Sequence, residues 1–220
     1  MHLNRSSGIL LHPTSLPGRY GIGDLGPAAH AWLENLAATG TGIWQMLPLG
    51  PTGYGDSPYQ CFSAFAGNPF LVSPDLLVAD GLLTAPDLEV IPPFPAERVD
   101  YGAVIPFKLG LLDRAYERVA GAHLDDELRQ FRDQQRDWLD DFSLFMALKD
   151  LHDGRPWWTW DVELRDRYPE ALARARIDLT RSIDRHVFRQ FLFFRQWGEI
   201  RSRAADLNIT IIGDIPIFVA

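Results

Sequence analysis

The chain has 220 residues, of which 46% are hydrophobic and 12% aromatic, so it is long enough to bury a sizeable core. Its net charge is -8 and its only lysines are Lys108 and Lys149, which argues against a nucleic-acid partner, because a polyanion needs clustered basic side chains. The lone Cys61 excludes an internal disulfide framework, and no signal segment or membrane-spanning stretch is present, so we expect a cytoplasmic protein that contacts no membrane.

Residues 8–48 predict a strand, loop, helix, strand unit. A short apolar run from Gly8 ends at Pro13, and a helix is expected to start at Pro27 and stop at Gly40. A second apolar run follows at 42–48. Crossover units of this kind require a parallel sheet.

Residues 50–69 form a loop rich in glycine and proline directly after the second predicted strand. Such a loop at the carboxyl end of a strand is costly to order unless it lines a site. We therefore expect residues 1–69 to form the start of a catalytic domain together with an active-site loop.

Residues 70–180 predict a mainly helical insertion. Ser73 followed by Pro74 is typical of a helix start, and apolar residues recur at helical spacing from Phe107 to Val119 and again from Phe142 to Leu148. Because this block interrupts the alternation of strand and helix, we expect it to form an inserted subdomain.

Alternation resumes over residues 181–220. Ser182 is predicted to cap a long helix that leads into a third buried strand from Ile209 to Val219, which carries the carboxylate of Asp214. Three parallel strands fit the first part of a (β/α)8 TIM barrel, although an open doubly wound sheet also fits the pattern. Because the strand pattern continues to Ala220 without a cap or turn, we interpret the chain as the front part of a larger enzyme.

Several familiar sites are not indicated by the sequence. Residues 50–55 are rich in glycine, but no Gly-Lys-Ser/Thr follows them, which argues against a phosphate-binding loop. The six histidines show no metal-ligand spacing, and no serine lies in a nucleophile elbow. We expect neither a metal nor another cofactor.

Aromatic residues beside amides and carboxylates at loop positions favour sugar recognition, since flat rings stack on pyranose C-H faces while the polar groups bind hydroxyls. Tyr54, Tyr59 and Gln60 surround Asp56 in this way. For Tyr59 we favour a functional role, because it lies in the loop beyond a strand end.

Three tryptophans precede Asp161 and offer the same chemistry, but for Trp157, Trp158 and Trp160 we favour core packing. Asp214 is either functional or held in a structural ion pair. His12, at the end of the first strand, either contacts a ligand or holds the loop.

Several long segments resemble the 4-alpha-glucanotransferases, also called amylomaltases or disproportionating enzymes. They include Leu11-His-Pro-Thr-Ser-Leu-Pro17, Gly55-Asp-Ser-Pro-Tyr-Gln60, Gly67-Asn-Pro69, Pro156-Trp-Trp-Thr-Trp160 and Gly213-Asp-Ile-Pro-Ile217, with similar residues at 20–26, 44–54, 63–66 and 218–220. The resemblance implies a fold and mechanism of the alpha-amylase clan: a (β/α)8 barrel with inserted subdomains that cleaves an α-1,4-glucan and transfers the freed segment to another sugar.

The resemblance also implies roles for particular residues. Asp214 matches an acid on the third strand that supports the catalytic groups, whereas the nucleophile and the acid/base carboxylate belong to later strands, beyond Ala220. Tyr59 matches a tyrosine that stacks on the sugar at the scissile position, with substrate-binding neighbours Asp56, Ser57 and Gln60. Tyr54 and Tyr101 match aromatics that in some members form a second glucan-binding site.

The expected partners are therefore α-1,4-glucans and maltooligosaccharides. By this interpretation the chain is the amino-terminal part of a glycosyltransferase and is inactive alone, because it lacks both carboxylates of a retaining mechanism. Two alternatives stay open: a non-catalytic glucan-binding module, and a retaining α-glucan hydrolase of the same clan.

Overall fold

The computed structural model describes residues 5–119 and 124–219, and they divide into two compact units. Unit 1 comprises Met1–His123 with Leu192–Ala220, and unit 2 comprises Leu124–Phe191. The fold is mixed α/β and mostly helical. The predicted boundaries at residues 69 and 180 stay predictions.

Short parallel strands organise unit 1. Its described residues hold five strands: β1 (Gly8–Leu10), β2 (Ile43–Gln45), β3 (Gln60–Cys61), β4 (Thr210–Ile212) and β5 (Phe218–Val219). β2 lies between β1 and β4 in a parallel sheet, and Ile43 aligns with both Gly8 and Thr210. β3 and β5 form a second parallel pair in which Gln60 aligns with Phe218.

The strand predicted from Ile209 to Val219 is interrupted between β4 and β5. Pro216 has no N–H to donate to a sheet, and the Ile215 amide donates to the Asp214 carboxylate at 2.8 Å. The prediction of one continuous strand is therefore wrong, because local hydrogen bonding competes with sheet pairing at this point.

The described residues form eight α-helices: α1 (Pro27–Ala38), α2 (Pro74–Ala79), α3 (Tyr101–Val119), α4 (Asp125–Gln134), α5 (Arg136–Leu151), α6 (Val162–Arg165), α7 (Pro169–Asp178) and α8 (Thr180–Asp206). None of these helices is long and apolar enough to cross a membrane. Within the same residues, no three His, Cys, Asp or Glu side chains are grouped closely enough to hold a metal ion.

Helix ends follow local residue chemistry in α1 but not in α8. α1 begins at Pro27 and is followed by Gly40, whose φ of +70° suits a residue without a Cβ atom, as predicted. α8 begins earlier than predicted, at Thr180, so Ser182 lies inside the first turn. The prediction that Ser182 caps this helix is therefore wrong.

The core of unit 1 includes two buried polar arrangements. Trp44 is fully buried, and its indole donates to the Leu11 carbonyl at 2.7 Å. Lys108 is 1% exposed and donates to Asp24 at 3.2 Å and to the Val72 carbonyl at 2.8 Å. Burial lowers the pKa of Lys108, and the Asp24 carboxylate opposes this effect.

Unit 2 packs α4 to α7 and the first part of α8 around a separate apolar cluster that includes Trp160. The preference for core packing is confirmed for Trp160, which is 7% exposed. It is wrong for Trp157 and Trp158, because they are 42% and 61% exposed. Both exposed rings lie on a 3-10 turn, Trp157–Thr159.

Candidate active site at the strand ends

Tyr59 and Asp214 meet at the strand ends of unit 1, although they are 155 residues apart in the sequence. The Tyr59 hydroxyl donates to Asp214 Oδ2 at 2.8 Å. The Tyr59 carbonyl accepts from the Ile217 and Phe218 amides at 3.1 and 3.0 Å. The backbone pairing of the two segments therefore sets the position of the side-chain contact.

The hydrogen bond has a consequence for both side chains. Donation to Asp214 raises the pKa of Tyr59, because ionising the phenol would remove this hydrogen bond and place a second negative charge beside the carboxylate. The second Asp214 oxygen accepts from the Ile215 amide at 2.8 Å. Neither donor carries a positive charge, and the exposed carboxyl group has lone pairs left for a ligand.

A tight turn presents Tyr59. Gly55 and Asp56 both have left-handed backbones, with φ of 75° and 53°, and Ser57 Oγ accepts from the Tyr59 amide at 3.3 Å. The Ser57 carbonyl accepts from the Gln60 amide at 3.1 Å. Aspartate tolerates a left-handed backbone better than most residues, because its short polar side chain can hydrogen-bond locally, so these two positions reverse the chain before Tyr59.

The base of the loop is fixed to the rest of unit 1. Ser63 Oγ accepts from the amides of Phe65 and Ala66 at 3.1 and 3.2 Å. Gly67 packs so closely on the Phe193 ring of α8 that an added Cβ atom would overlap it. These contacts offset the entropy cost of ordering a loop of this composition.

The sequence-predicted residues are only partly brought together. Tyr101 begins α3, forms a hydrogen bond with Thr14, and lies close enough to Asp56 for that charge to act on it. Burial raises the pKa of Tyr101 and the Asp56 charge raises it further, whereas the Thr14 hydrogen bond lowers it. The backbone of Tyr54 starts the 3-10 turn Tyr54–Asp56, but its side chain lies outside the described part.

His12 links the loops that follow β1 and β2. Burial lowers its pKa to about 4, while a hydrogen bond with the Leu47 backbone opposes the shift. Its Nδ1 is buried and has no hydrogen-bond partner among the described residues. The ring is therefore neutral at physiological pH, and the bond to Leu47 favours the loop-holding alternative.

An open cleft of about 580 Å³ in unit 1 was not predicted. It is lined by residues 14–19, 21–22 and 94–99. Thr14, the partner of Tyr101, belongs to this lining. The Pro92-Pro93-Phe94-Pro95 run signals the non-helical segment that lines part of the cleft, because repeated prolines exclude a helix.

Comparison with known proteins matches the chain to a protein family. The family model for 4-alpha-glucanotransferase, glycoside hydrolase family 77, matches residues 11–220. The 4-alpha-glucanotransferase of Thermus thermophilus is 48% identical over 100% of this chain, and that of Synechocystis is 46% identical over 98%. The chain spans 44% and 43% of their respective lengths.

A solved structure agrees with the sequence relatives. The amylomaltase of Streptococcus agalactiae, in complex with acarbose, matches with a TM-score of 0.94 and 38% identity, covering 99% of this chain and 44% of that one. The similarity therefore extends over nearly the whole chain in both sequence and structure. The chain belongs to the 4-alpha-glucanotransferase family, also known as the amylomaltases.

Proposed function

We propose that the chain is the amino-terminal part of a 4-alpha-glucanotransferase that transfers a segment of an α-1,4-glucan to glucose or another glucan. The observation that carries this proposal is the contact of Tyr59 with Asp214, an aromatic ring and a charged acceptor held together at the strand ends. A sugar ring offers an apolar face to the Tyr59 ring and hydroxyl groups to the Asp214 carboxylate.

The reaction is a retaining double displacement. One carboxylate attacks the anomeric carbon, and a second carboxyl group protonates the departing sugar and later activates the acceptor hydroxyl. Neither group is assigned to this chain. We place both in the remainder of the full-length protein, since the chain spans 44% of the Thermus thermophilus relative.

Within this mechanism Asp214 is a supporting residue. Its carboxylate accepts hydrogen bonds from the sugar or from a neighbouring catalytic group, while the Tyr59 hydroxyl holds its orientation. The turn on the substrate side is shaped by Asp56, Ser57 and Gln60. A charge-assisted hydrogen bond of this kind is stronger than a neutral one, so it can hold a reacting group in place.

The proposed architecture is the first part of a (β/α)8 barrel. Residues 1–69 and 181–220 would supply its first three strands and active-site loop, and residues 70–180 the mainly helical insertion. The parallel order of β1, β2 and β4 supports this arrangement, because each pair is joined by a crossover connection.

The proposed partners are α-1,4-glucans and maltooligosaccharides. Acarbose, an α-glucan analogue, is bound in the similar Streptococcus agalactiae amylomaltase. Tyr101 and Tyr54 are proposed to contribute to a second glucan-binding site. The acidic net charge and the single buried Cys61 support a cytoplasmic protein without a nucleic-acid partner.

The test uses the full-length protein with maltotriose as both donor and acceptor. We expect glucose together with oligosaccharides longer than maltotriose. Glucose and maltose without longer products would indicate a hydrolase, because the two reactions differ in whether water or sugar reaches the covalent intermediate. Absence of turnover in the folded full-length protein would indicate a binding module.

The 220-residue chain alone serves as the matched comparison. We expect it to show no turnover, because the carboxylates of the double displacement are placed outside it. Turnover by this chain alone would contradict that placement.

A further inference from the structure

Trp157 and Trp158 form an exposed aromatic pair in unit 2. Their ring centroids are 6.0 Å apart and their planes are inclined at 83°. The two side chains are 42% and 61% exposed. Tryptophan is highly buried on average, so two adjacent exposed indoles indicate a binding surface.

Contacts made by Thr159 and Trp160 hold the turn that carries this pair. Trp160 stacks on His152 with centroids 5.1 Å apart, and its indole donates to the Arg155 carbonyl at 3.3 Å. The Thr159 hydroxyl donates to the Pro156 carbonyl at 2.7 Å. Because the turn is already ordered, a ligand that stacks on the exposed rings meets a preorganised surface.

The charged groups near the turn favour a neutral ligand. α6 packs against the turn and carries Glu163 and Arg165. Glu163 pairs with Arg174 and Arg165 pairs with Asp166, each at 2.8 Å. Arg155 and Asp161, which flank the turn in the sequence, carry opposite charges. The charges around the turn therefore sum to zero, and the surface offers aromatic faces and hydrogen-bonding groups to a ligand without a net charge.

We propose that Trp157 and Trp158 form a surface site for a long α-glucan chain, in addition to the site at the strand ends. This proposal rests on the proposed function, which supplies the neutral, hydroxyl-rich ligand that the surface suits. A polymer bound at this site stays attached to the protein, which raises the effective concentration of its chain ends.

The experiment measures retardation of the full-length protein in native gels that contain soluble amylose. We expect the Trp157→Ala/Trp158→Ala variant to bind amylose at least threefold more weakly than wild type. The Trp157→Phe/Trp158→Phe variant should retain most of the binding, because a flat ring remains. Ile177→Ala, which removes a 76% exposed apolar side chain from α7, is the matched control and should bind as wild type does.

Kinetics on the same samples separate this site from the strand-end site. For the alanine variant, kcat/KM with maltotriose should stay within twofold of wild type, while the KM for amylose rises. Unchanged retardation, or a wild-type protein that is not retarded, would overturn the proposal. A lowered melting temperature with amylose binding unchanged would instead show that other residues of the full-length protein cover these rings, and would also overturn it.

The proposed function can fail separately. If the protein is retarded through Trp157 and Trp158 but makes no products longer than maltotriose, the surface site stands and the transferase assignment fails. If the protein makes products longer than maltotriose but is not retarded, the transferase assignment stands and the surface site fails.

Discussion

Two carboxylates of unit 1, Asp24 and Asp214, are held in opposite ways. Asp24 is 7% exposed and pairs with the buried ammonium group of Lys108, and its other oxygen accepts from the Gly26 amide at 3.0 Å. Asp214 is exposed, and the Tyr59 hydroxyl and the Ile215 amide donate to it. The charge of Asp24 is thus compensated within the protein, whereas Asp214 is oriented by two neutral donors.

The difference separates a structural acid from a functional one. Burying a charge is costly unless a counter-charge and hydrogen bonds compensate it, so the Asp24 environment contributes to the fold. An exposed carboxylate has no such cost and is free to accept from a ligand. We therefore expect changes at Lys108 to alter stability and changes at Asp214 to alter activity.

The largest expected effect is on the buried pair. Lys108→Met leaves the Asp24 charge buried without its partner and should lower the free energy of unfolding by about 3 to 5 kcal/mol. Urea unfolding of the full-length protein measures this change. Arg129→Met, which removes the exposed pair with Asp125 in α4, is the control and should leave the midpoint nearly unchanged.

A second change, Asp24→Asn in the Lys108→Met background, sharpens this test. It removes the orphaned charge and should restore part of the lost stability. If Lys108→Met alone shifted the unfolding midpoint no more than Arg129→Met, the structural role of the pair would be refuted.

His12 is a partly buried titratable group of unit 1, so its contribution to the stability of the fold should depend on pH. Its folded pKa of about 4 lies below the ordinary value of 6.5, so the unfolded chain binds more protons between these values. The stability that neutral His12 contributes is complete above pH 6.5 and is lost as pH falls toward 4. The difference between the two values corresponds to up to roughly 3 kcal/mol.

The measurement is urea unfolding at pH 7 and at pH 4.5, with wild type and His12→Asn compared at each. We expect the variant to lose less stability on acidification, because it has no imidazole to protonate. The same replacement at His30 in α1 controls for loss of a histidine as such. Parallel pH profiles for wild type and His12→Asn would contradict the prediction.

Replacing Tyr59, the partner of the exposed Asp214, should change activity rather than stability. In the full-length protein Tyr59→Ala should lower kcat/KM on the order of a hundredfold, because a stacking ring and the donor to Asp214 are both lost. Tyr59→Phe keeps the ring and should lose much less. A thermal melt on each sample distinguishes this result from simple destabilisation, which would lower the melting temperature and leave the folded fraction active.

The sequence predicted those features that depend on nearby residues. The limits of α1 follow from Pro27 and Gly40, which act within one or two residues of the helix ends. The interruption before β5 was missed, although Pro216 is a signal for it, because the β3 to β5 pairing that defines the new strand joins distant segments.

Burial of single side chains was harder to predict than the elements that carry them. Lys108 follows the apolar spacing of α3, and its partner Asp24 is 84 residues away, so the pattern alone does not show that both are buried. Trp158 and Trp160 are two residues apart and chemically identical, yet only one faces the core of unit 2. At the site, the sequence proposed the loop and Asp214 as candidates, but the position of Asp214 between β4 and β5 and its hydrogen bond with Tyr59 required the tertiary structure.

The measurement that tests the central claim most directly is the activity of Asp214→Asn in the full-length protein with maltotriose. The substitution removes the charge and keeps the shape, so we expect kcat/KM to fall more than tenfold while the melting temperature stays close to that of wild type. Trapping with a fluorinated glycosyl fluoride should place no sugar on Asp214. Wild-type kinetics in Asp214→Asn, or a covalent sugar on Asp214, would contradict its assignment as the supporting acid of the site.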